Sequence, residues 1–109
     1  MSFTIIYITY PSEAEAKRIS ELLLEQRLIA CVNLFPITSA YWWQGSITHD
    51  SEWVGLVKTT EVGAMAVETF VEEHHPYDVP CIMQLSARAN AAYEAWIEAS
   101  VSSIGMDKD

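Results

Sequence analysis

The segment EEHHPYDVPC, Glu72 to Cys81, places two adjacent histidines and a cysteine within eight residues, with Glu72, Glu73 and Asp78 beside them. Imidazole nitrogen, thiolate and carboxylate are the donors that borderline cations such as Cu(II) and Zn(II) accept. His74 and His75 are therefore the candidate metal ligands. Neighbouring side chains on a helix point about 100° apart, so the two do not easily share one ion. A site would need Glu72, Asp78, Cys81 or a neighbouring subunit, and the spacing matches no closed zinc pattern. The competing reading is architectural. His74 follows Val67, Phe70 and Val71 at helical spacing and lies at the edge of a buried face, while Pro76 drives His75 out of the helix. Imidazolium near a helix C-terminus also suits the helix dipole. The segment reads first as a helix end and turn, and second as a metal site. Any metal affinity should be modest and should weaken below pH ~6.5.

Lys58 is the next residue with chemical potential. It ends an apolar strand, on one face with Val54 and Leu56, in a chain with six basic residues. Its stem can cover the strand while its amine reaches water, or the amine can hold an anion. Cys31 and Cys81 read as core thiols. No nucleophile elbow, paired-carboxylate arrangement or phosphate cradle is visible, and four glycines leave a cradle nowhere to form. Glu13, Glu15, Glu21 and Glu25 lie along a solvated helix face.

The elements that must position these residues follow from periodicity. FTIIYITY (3–10) is a strand apolar on both faces, which predicts a central position. PSEAEAKRISELLLEQR (11–27) is a helix opened by the Ser12/Glu15 capping box, with Glu13 paired to Lys17. LIACVNLF (28–35) is a second strand, which Pro36 marks as an edge or a bulge. TSAYWWQGSIT continues extended with Gln44-Gly45 at a hairpin tip, and EWVGLVKTT (52–60) is the third strand. Thr60 caps a helix ending at the two histidines. CIMQLSA (81–87) is the fourth strand. AAYEAWIEASV (91–101) is a final helix expected to bury Tyr93, Trp96 and Ile97, and a frayed tail, GMDKD, follows. The order βαββαβα predicts one α+β domain over residues 1–109, a ferredoxin-like sandwich with a long β2–β3 hairpin and an added C-terminal helix. The strand order 4-1-3-2 would put Cys31 and Cys81 on opposite edges, against a disulfide within one subunit.

Composition bounds the function. Fifteen acidic against six basic residues give a net charge of −9, which repels a phosphate backbone and argues against nucleic-acid partners. No apolar run approaches the ~20 residues that span a bilayer, so no membrane role is expected. The N-terminus has no export-signal pattern, and with two cysteines the expected location is cytoplasmic. A hairpin of some thirty residues bearing Tyr41, Trp42, Trp43 and Trp53 projects past a four-stranded sheet and invites another chain.

The series ACVNLFPITSAYWWQGSI, VKTT, HHPYDVP and YEAWIEASV, in this order and spacing, resembles the CutA divalent-cation-tolerance family along essentially the whole chain. The resemblance implies a ferredoxin-like subunit in a tight homotrimer joined through its hairpins. It further implies a link to metal tolerance with no established catalytic activity or obligatory cofactor, and a fold and trimer like those of PII signalling proteins. Ser46 stands where the family usually has lysine. Cys81 replaces a common glutamate or alanine, SARANAAY is one residue shorter than usual, and Ile8 occupies a position that is cysteine in some members. In such a trimer Lys58 would share an intersubunit cleft with Tyr41, Trp43, Thr59 and Tyr77 and hold an anion or carboxylate. The leading expectation is a metal-binding tolerance protein, copper or zinc being the candidate ions. The alternatives are a PII-like small-anion module and an enzyme pairing Lys58 with His75 as acid and base.

Overall fold

The computed structural model describes residues 2–101. The elements run β1 (Phe3–Tyr10), α1 (Glu13–Glu25), β2 (Cys31–Trp43), β3 (Ser46–Thr59), α2 (Ala64–His74), β4 (Ile82–Ala87) and α3 (Ala91–Ser100). They form one antiparallel sheet in the order β2-β3-β1-β4, the ferredoxin-like α+β arrangement expected from the sequence.

β1 is central because it is apolar on both faces and each face finds a cover. Ile6, Ile8 and Tyr10 point to the side packed by α1 and α2, where they meet Val57, Ile19, Leu23, Val67 and Val71. Burial of each aliphatic side chain there contributes about 1.5–3 kcal/mol. Phe3 and Ile5 point the other way, against Ile97, Val101 and Tyr93 of the α3 segment. Gly55 is small for a reason: a Cβ there would sit 3.1 Å from the Tyr10 ring.

Helix α1 starts as the sequence predicts, with the Ser12 hydroxyl accepting from the Glu15 amide at 3.2 Å and Lys17 paired to Glu13 at 3.0 Å. The return half of the capping box is replaced, since Arg18 takes the Glu15 carboxylate at 2.7 Å. Helix α2 starts later than expected. Thr60 Oγ1 accepts from the Gly63 amide and caps a turn, and the helix begins only at Ala64. In α3, Ile97 is buried, but Trp96 is 46% exposed, against expectation. Glu94 goes inside at 7% exposure because its carboxylate accepts from the Ala89 amide at 2.8 Å, closing the open donors before the helix.

The hairpin is continuous. β2 pairs with β3 from Cys31↔Lys58 to Trp43↔Ser46 without a bulge, and β2 lies at the sheet edge, where Pro36 costs no inner ladder bond. Gln44 (φ 49°) and Gly45 (φ 81°) make the two-residue tip. β1 stops at Tyr10↔Trp53, so beyond Glu52 the hairpin is a two-stranded ribbon, and the molecule extends to 50 × 28 × 20 Å. Trp42 is 72% and Trp43 60% exposed on it.

Candidate functional site: the turn after α2 and the base of the hairpin

Pro76 denies His75 a helical backbone, and His75 ends α2 at φ −75°, ψ 140°, its amide still bonded to the Val71 carbonyl. The break swings its ring onto Tyr10, with centroids 5.0 Å apart and planes at 14°. The Tyr77 amide donates to Nδ1 at 3.1 Å, so that nitrogen carries the lone pair, and Nε2–H donates to the Thr9 carbonyl at 2.7 Å. The turn thus fixes one neutral tautomer and leaves no ring nitrogen for a metal. Burial pushes the His75 pKa below its ordinary 6.5, against the opposing pull of the Thr9 carbonyl.

His74 is arranged differently. Its Nδ1 donates to the Phe70 carbonyl at 2.8 Å, and its ring stacks on Phe70 at 4.0 Å. The lone pair of the neutral ring is then on Nε2. Arg18 caps the His74 carbonyl at 2.9 Å. The two histidines face different surroundings and do not converge. Among the described residues no three His, Cys, Asp or Glu side chains gather as a metal-ligand group.

Past Pro76 the turn runs beside the hairpin, and the two flank an open cavity of about 720 Å³. Tyr41, Trp43 and Tyr77, three of the residues expected to share a cleft, line it together. So do Asp50 and Glu52, which sequence reasoning missed. The Tyr77 hydroxyl donates to Glu52 Oε2 at 2.8 Å and Ser39 Oγ to Oε1 at 2.7 Å. Tyr41 donates to Asp50 Oδ2 at 3.2 Å. Burial and the Glu52 carboxylate push the Tyr77 pKa far up, so its proton stays in that bond. Cys81 lines the cavity as a neutral thiol, its pKa raised by burial and by Glu52.

Lys58 and Thr59 are placed elsewhere within the subunit. Lys58 stands opposite Cys31, donates to Asn33 Oδ1 at 2.8 Å and lies 5.6 Å over the Tyr93 ring. Six residues along the strand separate it from Glu52, roughly 20 Å. Thr59 is buried on the helix-covered face, with its hydroxyl on the Leu28 carbonyl at 2.7 Å. Lys58 and His75 are not brought together either. Lys58 pairs with Ile5, whereas His75 bonds Thr9 and stacks on Tyr10 near the far end of β1. Cys31, the first residue of β2, and Cys81, just before β4, are free thiols at opposite sheet edges, partly rather than fully buried, and Cys31 Sγ lies 3.4 Å from the Tyr93 hydroxyl.

A ferredoxin-like sheet with an overlong ribbon defines an architectural class, and known proteins share the fold. The model of the CutA1 divalent ion tolerance protein family matches residues 4–100, and the chain belongs to that family. The divalent-cation tolerance protein CutA of Thermotoga maritima is 41% identical over 98 residues, covering 89% of this chain and 97% of that protein. Protein CutA of Homo sapiens is 38% identical over 105 residues, covering 94% of this chain and 59% of that protein. Among solved structures, the Archaeoglobus fulgidus protein, described as a periplasmic divalent cation tolerance protein CutA, superposes with a TM-score of 0.89 at 41% identity. That match covers 94% of this chain and all of the other. CutA1 of Pyrococcus horikoshii gives 0.89 at 34% identity over 92% of this chain and 99% of its own.

Proposed function

We propose that the chain works as a homotrimer in divalent-cation tolerance, taking up a copper-type ion weakly through His74 rather than catalysing a reaction. The observation that carries the metal reading is the His74 ring, held by Phe70 so that Nε2 keeps its lone pair. Glu72 and Glu73 are exposed beside it, and a surface of net charge −9 draws cations. One imidazole with water or a neighbouring carboxylate gives modest affinity, far from that of a structural zinc cage. His75 supports this role by fixing the turn. Trimer formation is supported by the exposed Trp42 and Trp43 on the ribbon and by the half-exposed Met83 and Leu85 on the sheet face that α3 leaves open. The two unpaired thiols suit a reducing compartment such as the cytoplasm, and no described helix is long and apolar enough to cross a membrane.

Calorimetric titration with Cu(II) at pH 7 tests the metal reading. His74→Ala should abolish binding, whereas His75→Ala should lower stability and leave copper affinity unchanged at temperatures where the variant is folded. Unchanged affinity in His74→Ala would move the site elsewhere, with Cys81 next. Light scattering at micromolar concentration should give three times 12.3 kDa, and a monomer there would end the trimer reading.

A second reading, a small-ligand module of the PII type, is favoured by the cavity itself, whose volume lies in the range of organic ligand sites. Three carboxylates, Asp50, Glu52 and Asp78, line it, and within the subunit Lys58 stands apart from it, bonded to Asn33.

A further inference from the structure

We propose that the cavity between the turn and the ribbon binds a small organic cation, a protonated amine, an inference that rests on reading the cavity as a ligand site. The warrant is an inventory of donors and acceptors. The hydroxyl protons of Tyr77 and Ser39 are committed to Glu52, and that of Tyr41 to Asp50. These groups therefore turn acceptor lone pairs, not protons, toward the cavity, and each carboxylate oxygen keeps acceptor capacity of its own. No lysine, arginine or histidine among the described residues lines the space, while Asp50, Glu52 and Asp78 do. An anion entering it would meet three carboxylates, with the hydroxyl protons of Tyr41, Tyr77 and Ser39 already committed. An ammonium brings three donors and the opposite charge.

The walls agree with the floor. Tyr41 and Trp43 project from β2 along the same side of the ribbon, because residues two apart on a strand share a face. Their rings offer the electron-rich surfaces over which an alkylammonium settles. A bare metal ion fits less well. The cavity is sized for several heavy atoms, no three ligating side chains converge in it, and its thiol is held neutral. Asp50 and Glu52 are two apart on β3, so a chain with an amine at each end can meet both carboxylates while its methylenes lie on the aromatics.

The test is calorimetric titration of the full chain at pH 7.5 and low salt with 1,4-diaminobutane, with succinate as its four-carbon opposite in charge, and with MgCl₂. The diamine should bind and succinate should not. Glu52→Gln and Asp50→Asn should each weaken the diamine by about tenfold, the loss of one charge-assisted contact. Lys58→Met should leave its affinity unchanged. Asp50 makes no bond to the turn, so its variant separates ligand contact from any loosening that Glu52→Gln causes, and urea midpoints monitor the fold. Succinate binding that survives in Lys58→Met would overturn the sign of the ligand while sparing the ligand-site reading. Diamine affinity unchanged in both carboxylate variants would overturn the proposal outright. Magnesium binding tighter than the diamine, with the same carboxylate dependence, would replace it by an inorganic ion. Silence from all three compounds would remove the ligand-site reading itself.

Discussion

Tyr77 and Glu52 meet across 2.8 Å, hydroxyl to carboxylate, and that bond ties the turn after α2 to the hairpin where it leaves the sheet. The tie is one of a series. His75 bonds the Thr9 carbonyl, Tyr77 bonds His75 through its amide and Glu52 through its hydroxyl, and Ser39 holds the other Glu52 oxygen. Tyr77→Phe keeps the ring and deletes the hydroxyl. It should lower stability by about 1.5–3 kcal/mol, the range of a hydrogen bond to a charged group, read as a shifted urea midpoint at constant slope. A midpoint equal to wild type would mean that the brace is idle.

The His75 ring gives the protein an acid-sensitive point. Its folded pKa is depressed below 6.5, so above that pH the ring is neutral in both folded and unfolded chains and the turn is fully stable. As pH falls below 6.5 the unfolded chain takes up the proton first, and stability declines toward the lower folded pKa. Protonation also removes the lone pair that accepts the Tyr77 amide. Thermal melts from pH 8 to 5 should show a decline that is smaller in His75→Gln, and parallel curves for the two proteins would assign the decline to other groups.

Tyr10 carries a buried hydroxyl with no hydrogen-bond partner among the described residues. Removing a buried polar group that lacks a partner relieves a desolvation cost of about 1–3 kcal/mol. Tyr10→Phe should therefore match or exceed wild-type stability while the ring continues to stack on His75. A clear loss in chemical denaturation would show that the hydroxyl is satisfied in solution.

The hairpin tip offers a stabilising change. Gln44 and Gly45 both hold positive φ, the conformation for which Asn-Gly is favoured. Gln44→Asn should raise stability by about 0.5 kcal/mol. Gly45→Ala should cost about 1–2 kcal/mol, although a Cβ there has open space, because the penalty lies in the backbone. Paired urea melts of the two variants check the opposite signs.

Much of the fold was legible because its signals are local. Ser12 with Glu15, the two-sided apolar run FTIIYITY and the Gln44-Gly45 tip each encode an element within a few residues. The candidate site was legible only in part. Tyr41, Trp43 and Tyr77 stand out as aromatics near the hairpin and the turn, but Glu52 matters through a bond to a residue 25 positions away. Nothing local marks Asp50 as a carboxylate that will face Tyr41. Strand position does not say which neighbour takes the Lys58 amine within the subunit, and Asn33 takes it. Glu94 goes inside because one amide before α3 requires an acceptor, which no local pattern marks.

The ribbon beyond Glu52 is also a lever. From Glu52 to Gly45 it runs seven residues, about 23 Å, held by one ladder of hydrogen bonds. A rotation of about 5° at its base displaces the tip by about 2 Å over that length. The cavity and the Tyr77 brace both lie at the fulcrum. Small rearrangements there are magnified at Trp42 and Trp43, the part of the molecule farthest from its own core.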